Sequence, residues 1–548
     1  MKRTIPICVL MTCLSGLAWA APSVPPSSVP VGSDPAAQLN QTRAYLEQQQ
    51  RLSQLQADKD KEKTAVDSNL GQEDKGKQAD VTFVLKKVDF DTSVVLTQAE
   101  LDGIAKEYVG KSIHLDALYD LVNKINTLYK DKGYVVCKAF LAPQTIHDGV
   151  VHIRLVEGRT GNFTVTGNKS TRTGYITSRL PLKGGDVSNL NDLSRSVLWF
   201  NGTNDVQLRI KLQAGAKEGT TDYVISAYEP PRERGYVLFD TAGSASTGIW
   251  REGAGWFTRS LTGNRDPLNL YLMRSAGTKS GSASYSIPFT KSGTRFGMQY
   301  SANSVRIRHG SLEDLDVRGH STLYGFSLTQ PLQVSQTSRV EASLEWNKQN
   351  SRTDFLRMPW IDDRISRWTA SISATRYSDY NVWYQRHSYS IGSWDNIAGK
   401  NKKYGRYNID FLGQHLFANR HLFTARLAGQ FSSSHYLPSA DQFYIGGVNS
   451  VRGYKENILS GDSGFSLNLE YAIPSGPHTE WFGFLDMGGV YGDSAFDDHS
   501  LMGAGLGYRL RLTNKANASI ALGIPFKTDL NHEKQGNYRV HFSFYSEF

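Results

Sequence analysis

The long carboxyl-terminal part of the chain, after Pro230 and Pro231, alternates apolar and polar residues. Successive side chains of a strand point to opposite faces, so this period of two predicts strands with one apolar and one polar face. At about 20 residues per strand and loop, the roughly 316 residues from Glu233 onward predict about 16 strands. Two examples are Val340, Ala342, Leu344 and Trp346, with polar residues between them, and Met502 to Leu512, with Gly503, Gly505 and Gly507 among the intervening positions.

Tryptophan placement and the absence of long apolar runs indicate that these strands cross a membrane. Eight of the ten tryptophans, all except Trp19 and Trp199, fall in this part, as the aromatic girdles of a membrane barrel require. No segment after residue 20 offers the run of about 18 apolar residues that a spanning helix needs. The predicted fold is a transmembrane β-barrel of about 16 antiparallel strands over residues 231–548.

The first twenty residues have the pattern of a secretory signal. Lys2 and Arg3 precede an apolar run that is too short for a membrane anchor, and Ala18-Trp19-Ala20 forms a cleavage site. Removal of residues 1–20 lowers the net charge from +9 to +7, which is too dilute to indicate nucleic-acid binding. It also leaves Cys137 as the single cysteine, in a context typical of a small apolar strand residue.

Residues 21–57 begin with a Pro/Ser-rich stretch and continue as a helix from Asp34. Asp34 suits a helix cap and Pro35 the first helical position. The apolar stripe is thin, so this helix belongs in water or in a wet cavity; a weak coiled coil is the alternative. Residues 58–80 mix both charges and predict a flexible linker. The stripe includes Leu39, Leu46 and Leu52.

Residues 81–158 and 159–230 predict two copies of one small module with the order β-α-α-β-β. In the first copy, Thr97 and Glu100 form a capping box, and Gly133 ends a second helix of clear apolar periodicity. Such a module leaves an open sheet edge beside a helix, which suits the binding of an extended peptide.

A glycine-rich run from Gln442 to Gly464 reads QFYIGGVNSVRGYKENILSGDSG and interrupts the strand pattern. It contains Gly446 and Gly447, followed by Val451-Arg452-Gly453-Tyr454. An arginine inside a narrow barrel is costly unless a carboxylate binds it.

This combination resembles the transporters of bacterial two-partner secretion systems, the TpsB family of the BamA-like POTRA-plus-barrel superfamily. The motifs that carry the resemblance are the VRGY run, the strand 484–489 (FLDMGG), and the stretch GYVVCKAFLAPQTIHDGVVHIRLVEGR that closes the first module. The family often has Phe where this chain has Tyr454. The resemblance covers essentially the whole chain.

The resemblance implies a role for each motif. Arg452 is expected to bind Asp486 within the barrel, in a strand motif that includes Phe484 and Gly488. The helix from Asp34 is expected to plug the pore, and Phe544 with the terminal Phe548 to act as the assembly signal. The implied protein lies in the outer membrane of a Gram-negative bacterium with its modules, called POTRA domains, in the periplasm. The implied partners are a large secreted protein of the TpsA type (a haemolysin, adhesin or inhibition toxin), outer-membrane lipids, the barrel-assembly machinery and periplasmic chaperones, without nucleic acid.

Other functions explain the sequence less well. Gly461-Asp462-Ser463-Gly464 is similar to the nucleophile segment of trypsin-like proteases, but Phe465 replaces the expected glycine and no matching histidine context exists. No nucleotide-loop, metalloprotease or CxxC signature is present, so we expect no catalysis, cofactor or metal. A BamA/TamA-like insertion factor is the main alternative. A passive porin leaves the modules unexplained, and no large surface repeat supports an adhesin.

Overall fold

The computed structural model describes residues 34–59, 66–67, 82–310, 312–492, 498–513, 515–530 and 533–548. The predicted signal 1–20, residues 21–33 and most of the linker 58–80 lie outside these ranges. Among the helices within them, none has both the length and the apolar composition needed to span a membrane.

Helix α1 runs from Pro35 to Lys59, two residues beyond its predicted end. Asp34 caps it, because its Oδ1 accepts a hydrogen bond from the Ala37 backbone N–H at 2.7 Å. Within the predicted linker, β1 (Val66–Asp67) pairs in parallel with β8 (Gln207–Ala214). The linker therefore includes a two-residue strand that the sequence did not predict.

The first module surrounds a compact apolar core. Leu118, Leu121 and Ile125, on one face of its long helix, are completely buried. The predicted capping box at Thr97 and Glu100 is present, and the first predicted strand is split into two. The elements are β2 (Thr82–Val84), β3 (Lys87–Phe90), α2 (Gln98–Ala105), β4 (Ser112–His114), α3 (Leu115–Asp131), β5 (Cys137–Phe140) and β6 (Val150–Glu157), with β3-β6-β5 and β2-β4 as sheets.

The second module repeats this plan around its own core, which includes Leu193, Val197 and Ile225. Its first helix ends at Thr177, earlier than the sequence pattern to Leu180 suggested. The elements are β7 (Arg159–Thr166), α4 (Thr173–Thr177), α5 (Leu190–Thr203), β8 and β9 (Thr220–Tyr228), and the sheet order is β1-β8-β9-β7.

Sixteen antiparallel strands close into a barrel, which confirms the predicted fold class. Closure occurs where β10 pairs with β29, for example at Leu238 and Tyr545. The strands are β10 (Glu233–Asp240), β11 (Arg251–Thr258), β12 (Leu268–Arg274), β13 (Thr278–Pro288), β14 (Arg295–Arg306), β15 (Arg318–Val334), β16 (Ser338–Phe355), β17 (Met358–Tyr377), β18 (Asn381–Asp395), β19 (Asn401–Leu416), β20 (Leu422–Ser432), β23 (Ser463–Gly476), β24 (Thr479–Tyr491), β25 (Ser500–Thr513), β26 (Ala516–Pro525) and β29 (Arg539–Glu547). Two short pairs lie outside the barrel sheet: β21 (Phe443–Ile445) with β22 (Leu459–Gly461), and β27 (Asp529–Leu530) with β28 (Glu533–Lys534).

The second module packs against the barrel at the turn between β11 and β12. Arg265 forms an ion pair with Asp205 of the module, and Arg259 Nη1 donates to Asp205 Oδ2 at 3.2 Å. Burial alone raises the pKa of the Asp205 carboxyl, but the hydrogen bonds and charges of Arg265 and Arg259 outweigh it and hold the pKa below its usual range. This contact marks the end of the barrel at which the modules lie.

Candidate functional site: loop 6 and the helix inside the barrel

Residues 433–462, here called loop 6, connect β20 to β23. Because β10 leaves the modules and the chain reverses at each strand, loop 6 is the sixth connection at the end of the barrel away from the modules. It contains a 3-10 turn (Ser439–Asp441) and the hairpin β21–β22. The loop folds back into the barrel, where Ile445, Val451, Tyr454 and Leu459 form an apolar cluster with Val490, Leu501 and Leu530.

Arg452 contacts Asp486, as the resemblance implied. Its Nε donates to Asp486 Oδ2 at 2.6 Å and its Nη2 to Oδ1 at 2.9 Å, a bidentate geometry. The Arg452 backbone N–H also donates to Oδ2 at 3.1 Å. Asp486 is completely buried, so these bonds satisfy a carboxylate that water does not reach.

Strand β24 presents Phe484 and Asp486 to the lumen because they lie two residues apart. The Phe484 ring lies under the Arg452 guanidinium, whose Cζ is 3.6 Å from the ring centroid. Gly488, two residues further, faces loop 6, and a Cβ there would lie 3.2 Å from the Val451 side chain. The three motif positions therefore form one surface that contacts Val451 and Arg452, here called the tip of loop 6.

Acceptors and donors that the sequence analysis did not identify extend this contact. Arg452 Nη1 donates to Glu470 Oε2 at 3.0 Å, and Glu470 also binds Arg509. Asn468 Nδ2 donates to Asp486 Oδ1 at 2.9 Å and to the Ser450 carbonyl. Asn468 and Glu470 lie on the same face of β23. The alternation of polar and apolar residues along this strand was therefore the sequence signal that could have placed both side chains in the lumen. We call Arg452 with Asp486 and Glu470 the tip contact.

Glycines provide the space that the tip contact needs. Gly453 has a φ of +100°, and a Cβ there would lie 2.9 Å from the Pro525 nitrogen. Gly503 and Gly505 leave room for the Arg452 backbone and the Phe484 ring, which a larger side chain would overlap. Gly446 and Gly447, earlier in the glycine-rich run, lie in the same left-handed region, with φ of +109° and +90°.

The Tyr454 hydroxyl, which a phenylalanine would lack, forms two hydrogen bonds. Its OH donates to the Met502 carbonyl at 3.0 Å and accepts from the Lys527 backbone N–H at 3.1 Å. Tyr454 thereby fixes the loop to β25 and to the connection that follows β26.

Helix α1 lies inside the barrel, and polar contacts hold it there. Arg43 Nη2 donates to Gln299 Oε1 at 2.9 Å, and Asn303 Nδ2 donates to the Pro35 carbonyl at 2.8 Å. Leu39 is buried, and Leu46 packs beside Leu238 and Met273. The Leu52 side chain lies outside the described part of the helix. A thin apolar stripe suits this position because most of the lumen wall is polar.

The helix also touches loop 6 directly. Asn457 Nδ2 donates to Gln41 Oε1 at 2.6 Å, and Asn40 Nδ2 donates to the Ala440 carbonyl at 2.8 Å. Together the helix and the loop occupy the lumen, and a cavity of about 2000 Å³ remains toward the modules. Passage of a polypeptide requires that at least one of them move.

The chain terminus completes the barrel seam. Phe544 lies opposite Phe239 on β10, and the backbone groups of Phe548 exchange hydrogen bonds with Gly235 at 2.9 and 3.2 Å. The Phe548 side chain is largely exposed on the outside. Within the described residues, no group of three or more His, Cys, Asp or Glu side chains is arranged to hold a metal ion.

Comparisons with known proteins agree with this architecture. The family model described as haemolysin secretion/activation protein ShlB/FhaC/HecB matches residues 219–510, slightly more than half of the chain. A second model, POTRA domain, ShlB-type, matches residues 83–158. The heme/hemopexin transporter protein HuxB of Haemophilus influenzae is 29% identical over 71% of this chain and 72% of its own length. The outer membrane transporter CdiB of Dickeya dadantii is 22% identical over 78% and 80%.

Solved structures share the fold. CdiB from Escherichia coli superimposes with a TM-score of 0.67 at 19% identity, covering 95% of this chain and all of its own. BamA from Haemophilus ducreyi lacking POTRA domains 1–3 gives 0.50 at 14% identity, covering 85% of this chain and all of its own. Members of the matched family are transporters. The chain belongs to the haemolysin secretion/activation family ShlB/FhaC/HecB, and it is an outer-membrane transporter of two-partner secretion whose POTRA part lies in the periplasm.

Proposed function

We propose that the modules capture the unfolded secretion domain of a large partner protein and that the partner then passes through the barrel. Membership of the family implies such a secreted partner. The observation that carries the proposal is the position of α1: a polar helix lies in the lumen and is joined through residues 58–80 to the modules that would bind cargo.

The first module offers a strand edge for capture. In its sheet, β5 is the last strand, and no further strand of the described residues pairs with it. Phe140 on β5 is exposed, so an extended peptide would gain backbone hydrogen bonds and an apolar contact together.

Helix α1 acts as a plug that leaves the pore when cargo arrives. Besides small apolar contacts such as Leu46 with Leu238, its lumen contacts are hydrogen bonds and partly exposed ion pairs such as Arg43 with Glu345 at 3.8 Å. Water in the emptied lumen would replace these bonds, so release requires far less energy than exposing an apolar core.

The tip contact maintains the conformation of loop 6. Transport requires no catalytic step and no nucleotide. Folding of the partner outside the cell biases its passage, since a folded product cannot return through the pore. Outer-membrane lipids surround the apolar outer face, and periplasmic chaperones and the barrel-assembly machinery act during biogenesis, where Phe544 and Phe548 serve as the signal.

Deletion of residues 81–157 tests the proposal against the insertion-factor alternative. We expect one large protein to disappear from the medium and cell surface while other outer-membrane barrels stay at normal levels. A general loss of barrel proteins would contradict secretion and support insertion. Comparison of the secreted proteins of parent and deletion strains also identifies the cargo, for which the two relatives' names suggest different answers.

Deletion of residues 34–57 tests the plug. We expect a larger single-channel conductance in planar bilayers, because the helix occupies much of the lumen. Unchanged conductance would remove the plug role. Replacement of exposed Ala44 by Ser in the intact helix is a control that keeps the lumen contacts.

A further inference from the structure

Loop 6 has a second contact with the barrel wall, at Asp441, one residue before the glycine-rich run. Asp441 is completely buried. Arg367 Nε on β17 donates to its Oδ2 at 2.7 Å, and Arg406 Nη2 on β19 lies 2.9 Å from its Oδ1. The Tyr404 hydroxyl also donates to Oδ2. We call Asp441 with these three side chains the base contact.

The backbone of Asp441 is held as well. Gln430 Nε2 donates to the Asp441 carbonyl at 2.7 Å, and Arg406 Nη1 donates to the same oxygen at 3.2 Å. One completely buried carboxylate therefore faces two guanidinium groups, of which that of Arg367 is almost fully buried and that of Arg406 is partly exposed. Loss of its charge would leave the buried Arg367 cation beside a neutral group, which disfavours the docked loop.

The base contact continues directly into helix α1. Arg367 Nη2 donates to Gln349 Oε1 at 2.8 Å, and Asn40 Nδ2 of the helix donates to the same oxygen at 3.2 Å. Gln349 Nε2 donates to the Ala36 carbonyl at 3.3 Å. A single glutamine thus bonds to both the base contact and the first turns of the helix.

An apolar cluster joins the same three parts. Ala36 of the helix and Ala440 of the loop pack with Tyr404 and Ile365 of the wall. The Asn40 hydrogen bond to the Ala440 carbonyl lies beside it. The tip contact differs, since its side chains bond to β23 and β24 of the wall.

We propose that Asp441 is a positioning residue that docks the base of loop 6 and the first turns of helix α1 as one unit. Helix α1 and the base of loop 6 are then released together. The tip contact holds the other part of loop 6 independently of that release. This inference rests on the proposed plug role of α1 for its consequence in secretion, but the docking itself is measurable without that role.

The test uses the full-length protein with Thr42→Cys as a reporter in liposomes. Thr42 lies on α1 and is buried in the docked state, so maleimide labelling reports undocking. We expect Asp441→Asn to accelerate labelling by about tenfold or more. Asp316→Asn, which removes an ion pair of another outer loop with Arg318, is the matched control and should leave the rate within about twofold.

Two further variants keep the test decisive. Gln349→Ala retains the Arg367–Asp441 pair and should accelerate labelling by about threefold to tenfold through loss of the shared hydrogen bonds. Asp486→Asn should leave Thr42→Cys labelling within about twofold, because it weakens only the tip contact. Heat-modifiable electrophoretic migration verifies that each barrel is closed.

A parental labelling rate in Asp441→Asn, whatever Gln349→Ala shows, or equal acceleration by Asp486→Asn, would overturn the inference. Conductance separates it from the plug proposal. If Asp441→Asn accelerates labelling but deletion of residues 34–57 leaves conductance unchanged, the docking unit stands and the plug role fails. If deletion raises conductance while Asp441→Asn leaves labelling unchanged, the reverse holds.

Discussion

The modules and the barrel place their polar and apolar residues in opposite ways. In the first module, Leu121 and Ile125 are buried in the interior. In the barrel, Asp486 and Gln349 are buried in the interior, and Leu506 faces outward with most of its surface exposed. The outward side of the barrel meets lipid, so its apolar surface is removed from water by the membrane rather than by the protein.

This difference separates permanent from reversible packing. An apolar core has no substitute partner when it opens, because water cannot replace the contacts that are lost. The lumen contents combine small apolar clusters with ion pairs and hydrogen bonds such as Arg452 with Asp486 and Arg43 with Gln299. Water can solvate such groups once they separate, so a polar lumen allows docking and release within one folded barrel.

Ile125→Asp should have the largest effect on stability and secretion. It places a carboxylate without a partner in the apolar core and should destabilise the first module by more than about 4 kcal/mol, abolishing secretion. The barrel should still insert, because its strands do not share this core. Limited proteolysis of the full-length protein in outer membranes measures both, with exposed Asn123→Asp as the control. Loss of the barrel together with the module would contradict their independence.

Arg452→Ala should have the second largest effect on secretion. Asp486 would stay buried without its cation, which disfavours the docked tip by about 3–5 kcal/mol. Secretion should fall strongly while the protein still reaches the membrane, as measured by cargo in the medium and heat-modifiable migration. Arg452→Lys retains the charge but loses the bidentate geometry and should be intermediate. Full secretion by the alanine variant would remove the assigned role.

Leu506→Arg tests the inverted arrangement itself. Leu506 lies near the middle of β25 on the lipid side. The substitution should therefore lower the free energy of unfolding of the barrel by about 2–4 kcal/mol. Unfolding in urea from lipid vesicles measures the change. The matched variant is Ser327→Arg on the lumen side, opposite Glu345, and it should cost about 1 kcal/mol or less. Equal costs would contradict the assignment of the two faces.

Tyr454→Phe should cost about 1–3 kcal/mol in loop docking, because the Met502 carbonyl and the Lys527 N–H lose their shared partner. Protease accessibility of loop 6 in intact cells measures it. A variant indistinguishable from the parent would show that the hydroxyl bonds contribute nothing. Secretion should change less than in Arg452→Ala, since no buried charge is left unpaired.

The reactivity of the Cys137 thiol provides the last test, which involves no substitution and depends on pH. Burial, with a further contribution from Glu157, raises the pKa of its thiol to about 12, so the reactive thiolate is scarce below that pH. Between pH 7 and 9 the native protein should show almost no reaction with N-ethylmaleimide, whereas the denatured protein reacts readily. Mass spectrometry gives the extent of reaction, and rapid native labelling would contradict a closed module core.

Much of the architecture followed from local patterns. The period of two along residues 339–346 and 502–512 predicted the barrel, and the helical periodicity around Leu118 and Ile125 predicted the module core. Short elements escaped prediction: the strand at Val66–Asp67 exists only because β8 lies beside it. Arg452 and Asp486 were paired through the family resemblance, while Glu470 and Asn468 required the register of β23 against β24.

By itself the sequence determined the class of fold, the inverted polarity of the barrel and the presence of a glycine-rich loop with one central arginine. Only the tertiary structure decided which charges meet. Asp441 and Arg367 are 74 residues apart, and they touch because barrel closure and strand register bring loop 6 against β17. Alternation fixes which face a side chain occupies, but its neighbours across a closed lumen depend on every strand between them.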